Sequence, residues 1–300
     1  MLGKTMDGRK VAEKVRSKIK ERARDLAGSH VVPHLATIVV GDNPASRAYL
    51  KNIHAACADV GMKSQDVVLP ANSSQEELSR IVLKLNEDEA ITGILLQLPL
   101  PRGVDDVSII STIAPEKDVD GVHPLNVGLL MHKRADLVPC TPKGVLVLLN
   151  YYGTKIAGRH VVLINRSKLV GRPLSQMLLN EDATVTICHS KTVGLSEISR
   201  EADILVTGIG HRSELTVGRE MIKRGATVID IGTSVVDGKL RGDVDFDDAI
   251  GVAEYVTPVP GGVGPMTSAM LLYSTLLATC LQKGVDLHFN PNELKAAEHS

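Results

Sequence analysis

The sequence predicts a chain of two α/β domains, the second of them a Rossmann-like, doubly wound parallel sheet. Three observations carry that expectation. Short apolar runs of strand length alternate with amphipathic segments of helix length. The alternation breaks near Pro139 and then starts again. The length, 300 residues, suits about two domains at roughly 100–200 residues each.

Residues 6–27 carry apolar positions at helical spacing and a basic outer face, which predicts a helix. ATIVVG (36–41) reads as a buried strand, and SRAYLKNIHAACADVG (46–61) as a helix ended by Gly61. VVLP (67–70), a helix from Ser73 to about Leu85, and the strand ITGILLQLP (91–99) complete the first series. Strands separated by helices imply βαβ units and a parallel sheet covered on both faces.

From Pro139 a helix over 143–151 leads to the strand HVVLIN (160–165), a helix from about 171, and the strand TVTIC (184–188). ADILVTGIG (202–210) and ATVIDIG (226–232) follow as two more buried strands, the pattern of a nucleotide-binding sheet. A last helix, roughly 266–282, is apolar on much of its circumference and is expected to pack back on the first half. The polar tail after about 285 contains Pro291 and is expected to fray. The expected division is therefore 1–138 with the 266–285 helix, then 139–265, then a frayed tail over 286–300.

Composition narrows the class. The chain is 43% hydrophobic with no Trp and two Phe, so Leu, Ile, Val and Ala must fill its cores. Thirty-four basic residues balance 35 acidic ones, which argues against a nucleic-acid partner. Cys57, Cys140, Cys188 and Cys280 are widely spaced with no C-x-x-C pair, so neither a disulfide framework nor a metal site is expected. The opening MLGKTMDGRKVAEK has charges where a signal peptide needs an apolar core. No apolar run approaches the roughly 20 residues of a membrane span. The expectation is a cytosolic protein with no membrane partner.

No G-x-G-x-x-G follows the first strand of the second half. The segment after HVVLI is Asn165-Arg166-Ser167-Lys168-Leu169-Val170-Gly171-Arg172-Pro173. Polar residues and one Gly between a strand and a helix start fit an anion site built on free N–H groups, with Pro173 in the first turn. An ordinary βα loop fits as well. After TVTIC stands His189-Ser190-Lys191-Thr192 in place of the Asp or Glu that binds the ribose of NAD. Donors here, with Arg166 nearby, favour a 2′-phosphate and so NADP; a solvated polar loop is the alternative.

These residues resemble one family: the methylenetetrahydrofolate dehydrogenase/cyclohydrolase proteins, called FolD in bacteria. NRSKLVGRP (165–173) is similar to the family's G-R-S-x-x-V-G-x-P. CHSKT (188–192) matches, as does PGGVGPMT (260–267), and GDNPAS (41–46), QLPLP (97–101) and PEKDVDG (115–121) resemble the folate-site motifs. The resemblance implies an active-site cleft between a folate-binding first domain and an NADP-binding second one, usually in a homodimer. It also implies oxidation of methylenetetrahydrofolate to the methenyl form, usually followed by hydrolysis to 10-formyltetrahydrofolate. By resemblance Tyr49, Gln97 and Asp120 are the catalytic and folate-binding residues, with Asp120 accepting from the pterin. Pro258, Gly261 and Gly262 would lie beside both ligands. Asn165, Arg166, Ser167, Ser190 and Thr233 would bind the cofactor.

The sequence departs from the family at one telling position. The family's helix reads S-x-x-Y-x-x-x-K, with Tyr and Lys on one face. Ser46 and Tyr49 fit, and the Lys position is Ile53. That lysine is the family's group for the hydrolytic step, and isoleucine neither activates water nor moves a proton. Lys51 faces elsewhere on the helix and His54 is a poor substitute. The expectation is a dehydrogenase whose cyclohydrolase activity is lost or weak. Its rivals are the ordinary bifunctional enzyme, a methanopterin-type dehydrogenase, and a silent ligand-binding homologue. Asn165 for the family's Gly, Gly210-His211-Arg212 for Gly-Lys-Pro, and Thr233-Ser234 for Ile-Asn are smaller departures.

Overall fold

The structure, a computed structural model, describes residues 3–41, 44–210 and 215–296, and the side chains of 44–49 lie outside what it describes. The first series of elements is β1 (Lys4–Thr5), α1 (Gly8–Gly28), β2 (His34–Val40), α2 (Pro44–Asp59), β3 (Lys63–Leu69), α3 (Gln75–Glu87) and β4 (Gly93–Leu96). The short helices α4 (Asp106–Ile110) and α5 (Pro124–Met131) precede α6 (Cys140–Tyr151). The second series is β5 (His160–Ile164), α7 (Gly171–Asn180), β6 (Thr184–Cys188), α8 (Leu195–Ser199), β7 (Ile204–Thr207) and β8 (Thr227–Asp230). It ends with β9 (Ser234–Val236), β10 (Lys239–Arg241), α9 (Phe246–Ala249), β11 (Tyr255–Val256) and α10 (Val263–Lys283).

The chain divides into two compact units. One holds residues 14–140 and 268–289, the other 1–13, 141–267 and 290–300. In the first unit, β2 lies between β3 and β4 in a parallel sheet of order β3-β2-β4. Asp118 continues this pattern through a parallel bridge to Ile94. Ile38, Leu78, Val82, Ile91 and Ile94 fill its core. Ser74 caps α3 by accepting from the Glu77 N–H at 3.2 Å. The other end of α3 is closed by Lys117, whose Nζ donates to the carbonyls of Leu85, Asn86 and Asp88 at 3.1, 2.7 and 2.9 Å. A cation is favoured there because the last carbonyls of a helix have no partners and carry its negative end.

In the second unit all six strands run parallel in the order β1-β11-β8-β7-β5-β6. From β6 to β11 the chain order is second, first, third, fourth, fifth. That is a doubly wound sheet whose direction of winding reverses between β5 and β7. Val162, Leu205, Val228 and Val256 are among its fully buried core residues. β9 and β10 form a separate antiparallel hairpin.

Residues 268–289 group with the first unit, where Thr279 Oγ1 donates to Thr92 Oγ1 at 2.7 Å. Three other expectations need correction. Residues 4–5 belong to the second sheet, because their backbone pairs with β11, 251 residues further along the chain. The tail is held as far as Ala296, since Pro291 is buried and the Ala296 N–H reaches the Tyr151 carbonyl at 3.0 Å. Finally, α10 has 21 residues and is long and apolar enough to cross a membrane, although most of it is buried within the protein. All four cysteines are free and buried.

Candidate functional site

In open parallel sheets a ligand binds outside the carboxyl ends of the strands, where the winding reverses. The three-strand sheet reverses between β2 and β4. Gln97 directly follows β4, half-buried, with its N–H on the Ile38 carbonyl at 2.9 Å and its amide on the Leu98 carbonyl at 3.1 Å. α2 leaves the neighbouring end of β2. The side chain of Tyr49, on that helix, lies outside the described residues. Asp120 stands two residues beyond the Ile94–Asp118 bridge, so the chain delivers it to the same edge as Gln97.

Asp118 and Asp120 take different environments. Asp118 is buried and accepts from the His123 N–H and the Asn126 amide, both at 2.8 Å. Burial raises its pKa, and these donors oppose the rise. Burial also pushes Asp120 up, to about 7, with the neighbouring Asp118 charge adding to it and a hydrogen bond with Cys140 working against it. The Cys140 thiol also donates to the Val119 carbonyl at 3.3 Å and is raised well above its ordinary value by burial. Sequence reading missed both Asp118 and Cys140. The PEKDVDG motif contained the first, but only the fold shows that its carboxyl faces inward.

Ile53 is buried, 4% exposed, on α2. Both ring nitrogens of His54 are engaged, Nδ1 with Ser64 Oγ at 2.6 Å and Nε2 with Asp66 Oδ2 at 2.7 Å. Lys51 is exposed.

In the six-strand unit Asn165 follows β5 at the reversal point, and its amide donates to the carbonyl of Gly208, just past β7. Its Oδ1 accepts from the Ser167 N–H at 2.8 Å. Of the two readings of the turn before α7, the anion cradle and the ordinary loop, the hydrogen bonds favour the second. Ser167 Oγ takes the N–H groups of Val170 and Gly171 at 3.1 and 3.3 Å, the Ser167 carbonyl takes that of Arg172, and Pro173 has none. An anion at this edge meets side chains instead. Arg166, Ser167, Ser190 and Thr233 are all exposed, one loop after β5, one after β6 and one after β8. Arg212 and His211 lie outside the described residues.

Gly261 and Gly262 have packing reasons of their own to be glycine. Gly261 is buried with φ of 118°, a backbone that L side chains avoid. Its carbonyl accepts the N–H groups of Gly8 and Arg9, at 2.9 and 3.2 Å, from the first turn of α1. A Cβ on Gly262 would meet the Pro258 carbonyl at 2.7 Å. Packing within the turn and against α1 already requires both glycines, so close approach of a ligand is not needed to explain them. Pro258 itself is half-buried.

Two buried carboxylates that sequence reading missed hold the loops of this edge. Asp230 accepts from the N–H groups of Gly232, Asp243 and Val244 at 2.9, 3.1 and 2.8 Å, and from Thr207 Oγ1 at 3.3 Å. Burial raises its pKa to about 6 against these bonds. Asp243 accepts from Ile209 and Gly210 N–H at 2.5 and 3.0 Å. A cavity of about 380 Å³ lies at the opposite, amino end of this sheet, lined by Arg159, Asp203, Lys223 and Tyr255 among others, and contains none of the expected site residues. Among the described residues no cluster of His, Cys, Asp and Glu could hold a metal ion.

Comparison with known proteins bears on both units. Residues 6–120 match the family model for the tetrahydrofolate dehydrogenase/cyclohydrolase catalytic domain. Residues 139–283 match the model for the NAD(P)-binding domain of the same proteins. The bifunctional protein FolD of Nitrosopumilus maritimus is 46% identical over 95% of this chain and 99% of its own length. The crystal structure of the bifunctional FolD of Campylobacter jejuni has a TM-score of 0.90 at 41% identity, covering 93% of this chain and 99% of that one. A Trypanosoma brucei methylenetetrahydrofolate dehydrogenase-cyclohydrolase, solved with NADP and an inhibitor, has a TM-score of 0.89 at 40% identity, covering 94% and 99%.

Proposed function

The chain belongs to the tetrahydrofolate dehydrogenase/cyclohydrolase family, and from that footing we propose that it oxidises 5,10-methylenetetrahydrofolate to the methenyl form with NADP. The observation that carries the proposal is the retention of Gln97 and Asp120 at the carboxyl edge of one sheet and of Arg166, Ser167, Ser190 and Thr233 at that of the other. Both edges lie where the winding reverses, the place a ligand takes in such sheets.

The reacting carbon stands between two folate nitrogens, whose lone pairs stabilise the cation that forms. The protein therefore needs no strong base, only orientation and electrostatics. Asp120, ionised above about pH 7, accepts from the pterin's amino and ring N–H groups. Gln97 lines the pocket from the end of β4, and Tyr49 is the residue the family resemblance assigns to the folate ring. NADP supplies the hydride acceptor when bound. Exposed Arg166 and Ser190 suit its 2′-phosphate, because neither loop carries the acid that would repel it. Thr233 serves the nicotinamide end, with Pro258, Gly261 and Gly262 beside it. The protein acts in the cytosol as a homodimer, with no metal.

On hydrolysis, the similarity to proteins named bifunctional favours a chain that also converts methenyltetrahydrofolate to 10-formyltetrahydrofolate over the loss expected from the sequence. One observation supports the loss: Ile53 is a buried hydrocarbon, and both ring nitrogens of the adjacent His54 are already engaged by Ser64 and Asp66. Hydrolysis of methenyltetrahydrofolate against the non-enzymatic background separates the two. A robust enzymatic rate establishes the bifunctional reading; a rate at background establishes the loss.

A further inference from the structure

We infer that Asp230 and Asp243 are positioning residues that lock the nicotinamide half of the dinucleotide site in its working shape before any ligand arrives. The inference rests on the NADP-dehydrogenase reading above and concerns residues that never touch the reacting atoms.

A line of hydrogen bonds crosses the carboxyl ends of three strands. It begins after β5, where Asn165 joins the Ser167 N–H to the Gly208 carbonyl. It continues after β7, where Asp243 takes both the Ile209 and Gly210 N–H groups. The Asp243 backbone N–H and that of Val244 then bind the two oxygens of Asp230, at the end of β8. Asp230 finally holds the Gly232 N–H, next to Thr233. Three loops that the chain makes about 20–45 residues apart are thereby fixed to one another. Each acid accepts backbone N–H groups on both of its oxygens, an arrangement that an ionised, acceptor-only carboxylate satisfies best.

Two glycines make the approach possible. A Cβ on Gly232 would lie on the Asp243 carboxylate, and one on Gly242 would lie on Asp230 Oδ2. Neither glycine has the positive φ of a tight turn. Their smallness serves the carboxylates. Both acids are also fully or nearly fully buried, Asp243 at 0% and Asp230 at 2%, so they cannot meet a ligand directly. Their effect must pass through the loops they hold.

The test compares two ligands on three proteins: wild type, Asp243→Asn and Gly232→Ala. Adenosine 2′,5′-bisphosphate probes the adenosine end alone, and NADP probes both ends. An asparagine turns an NH2 toward a backbone N–H, and an alanine at 232 displaces the same carboxylate from the other side. Both variants should weaken NADP about tenfold or more, the scale of one lost charge-assisted hydrogen bond. They should change the bisphosphate affinity less than about twofold and raise KM for NADP without raising KM for folate. Equal weakening of both ligands, or of neither, overturns the inference. In the ligand-free wild type the Ile209, Gly210 and Gly232 amides should exchange slowly with solvent; fast exchange there also overturns it. Failure of the wild type to bind the bisphosphate overturns the NADP reading itself, a result distinct from the loss of the split.

Discussion

Asp120 offers the sharpest pH test. Its carboxyl is pushed up to about 7 by burial and by Asp118, and the folate contact needs it ionised. Ionisation then falls from ~90% at pH 8 to ~10% at pH 6. The kcat/KM for methylenetetrahydrofolate, at saturating NADP, should fall about tenfold between those values with an acid limb near pH 7. Asp118→Asn removes the charge that raises Asp120 and should move the limb to lower pH. Asp120→Asn should weaken folate and flatten the profile. A flat wild-type profile from pH 6 to 8, or a limb that ignores Asp118→Asn, refutes the reasoning. The same shift has a sign for stability. A carboxyl whose folded pKa exceeds its ordinary 3.8 holds its proton more tightly when folded. Its contribution is therefore fully present below 3.8 and lost as pH rises through about 7.

Ile53→Lys should raise methenyltetrahydrofolate hydrolysis about a hundredfold if a missing proton carrier limits it, while burying an ammonium in place of an aliphatic side chain costs about 2–3 kcal/mol of stability. Equal hydrolysis by both proteins would show that position 53 does not limit the step. Ser190→Asp should cut kcat/KM for NADP about 10–100-fold and leave NAD within about threefold, read as paired initial rates. Lys117→Met strips three carbonyls at the end of α3 of their donor and should cost about 2–4 kcal/mol, a fall in Tm of roughly 5–15 °C by thermal unfolding.

The parts of this fold that repeat a period are readable in the residues. β2, β5, β7 and β8 are runs of Val, Ile and Leu, and α3 announces itself with Ser74 ahead of an apolar stripe. β1 and β11 are two residues each, too short to carry a period, and their pairing depends on partners far along the chain. The β9–β10 hairpin is mostly exposed and lacks an apolar face. At the site, Gln97 and Asp120 were found through motifs, and the sheet order explains why both reach one edge. Asp230 and Asp243 were not, since a lone Asp in IDIG or GDVDF reads as a turn residue until Gly232 and Gly242 are seen to let the carboxylates in. The α7 turn stays open in the sequence for a related reason: nothing in NRSKLVGRP says that Ser167 will consume the N–H groups itself.

The central claim is hydride transfer from the folate one-carbon unit to NADP. One reaction of methylenetetrahydrofolate, NADP and enzyme, followed separately for NADPH formation and methenyl absorbance, tests it most directly. The account predicts NADPH appearing at an enzyme-dependent rate, with methenyl formed in equal amount before any hydrolysis. No NADPH above the enzyme-free blank, with NADP and folate both saturating, contradicts it.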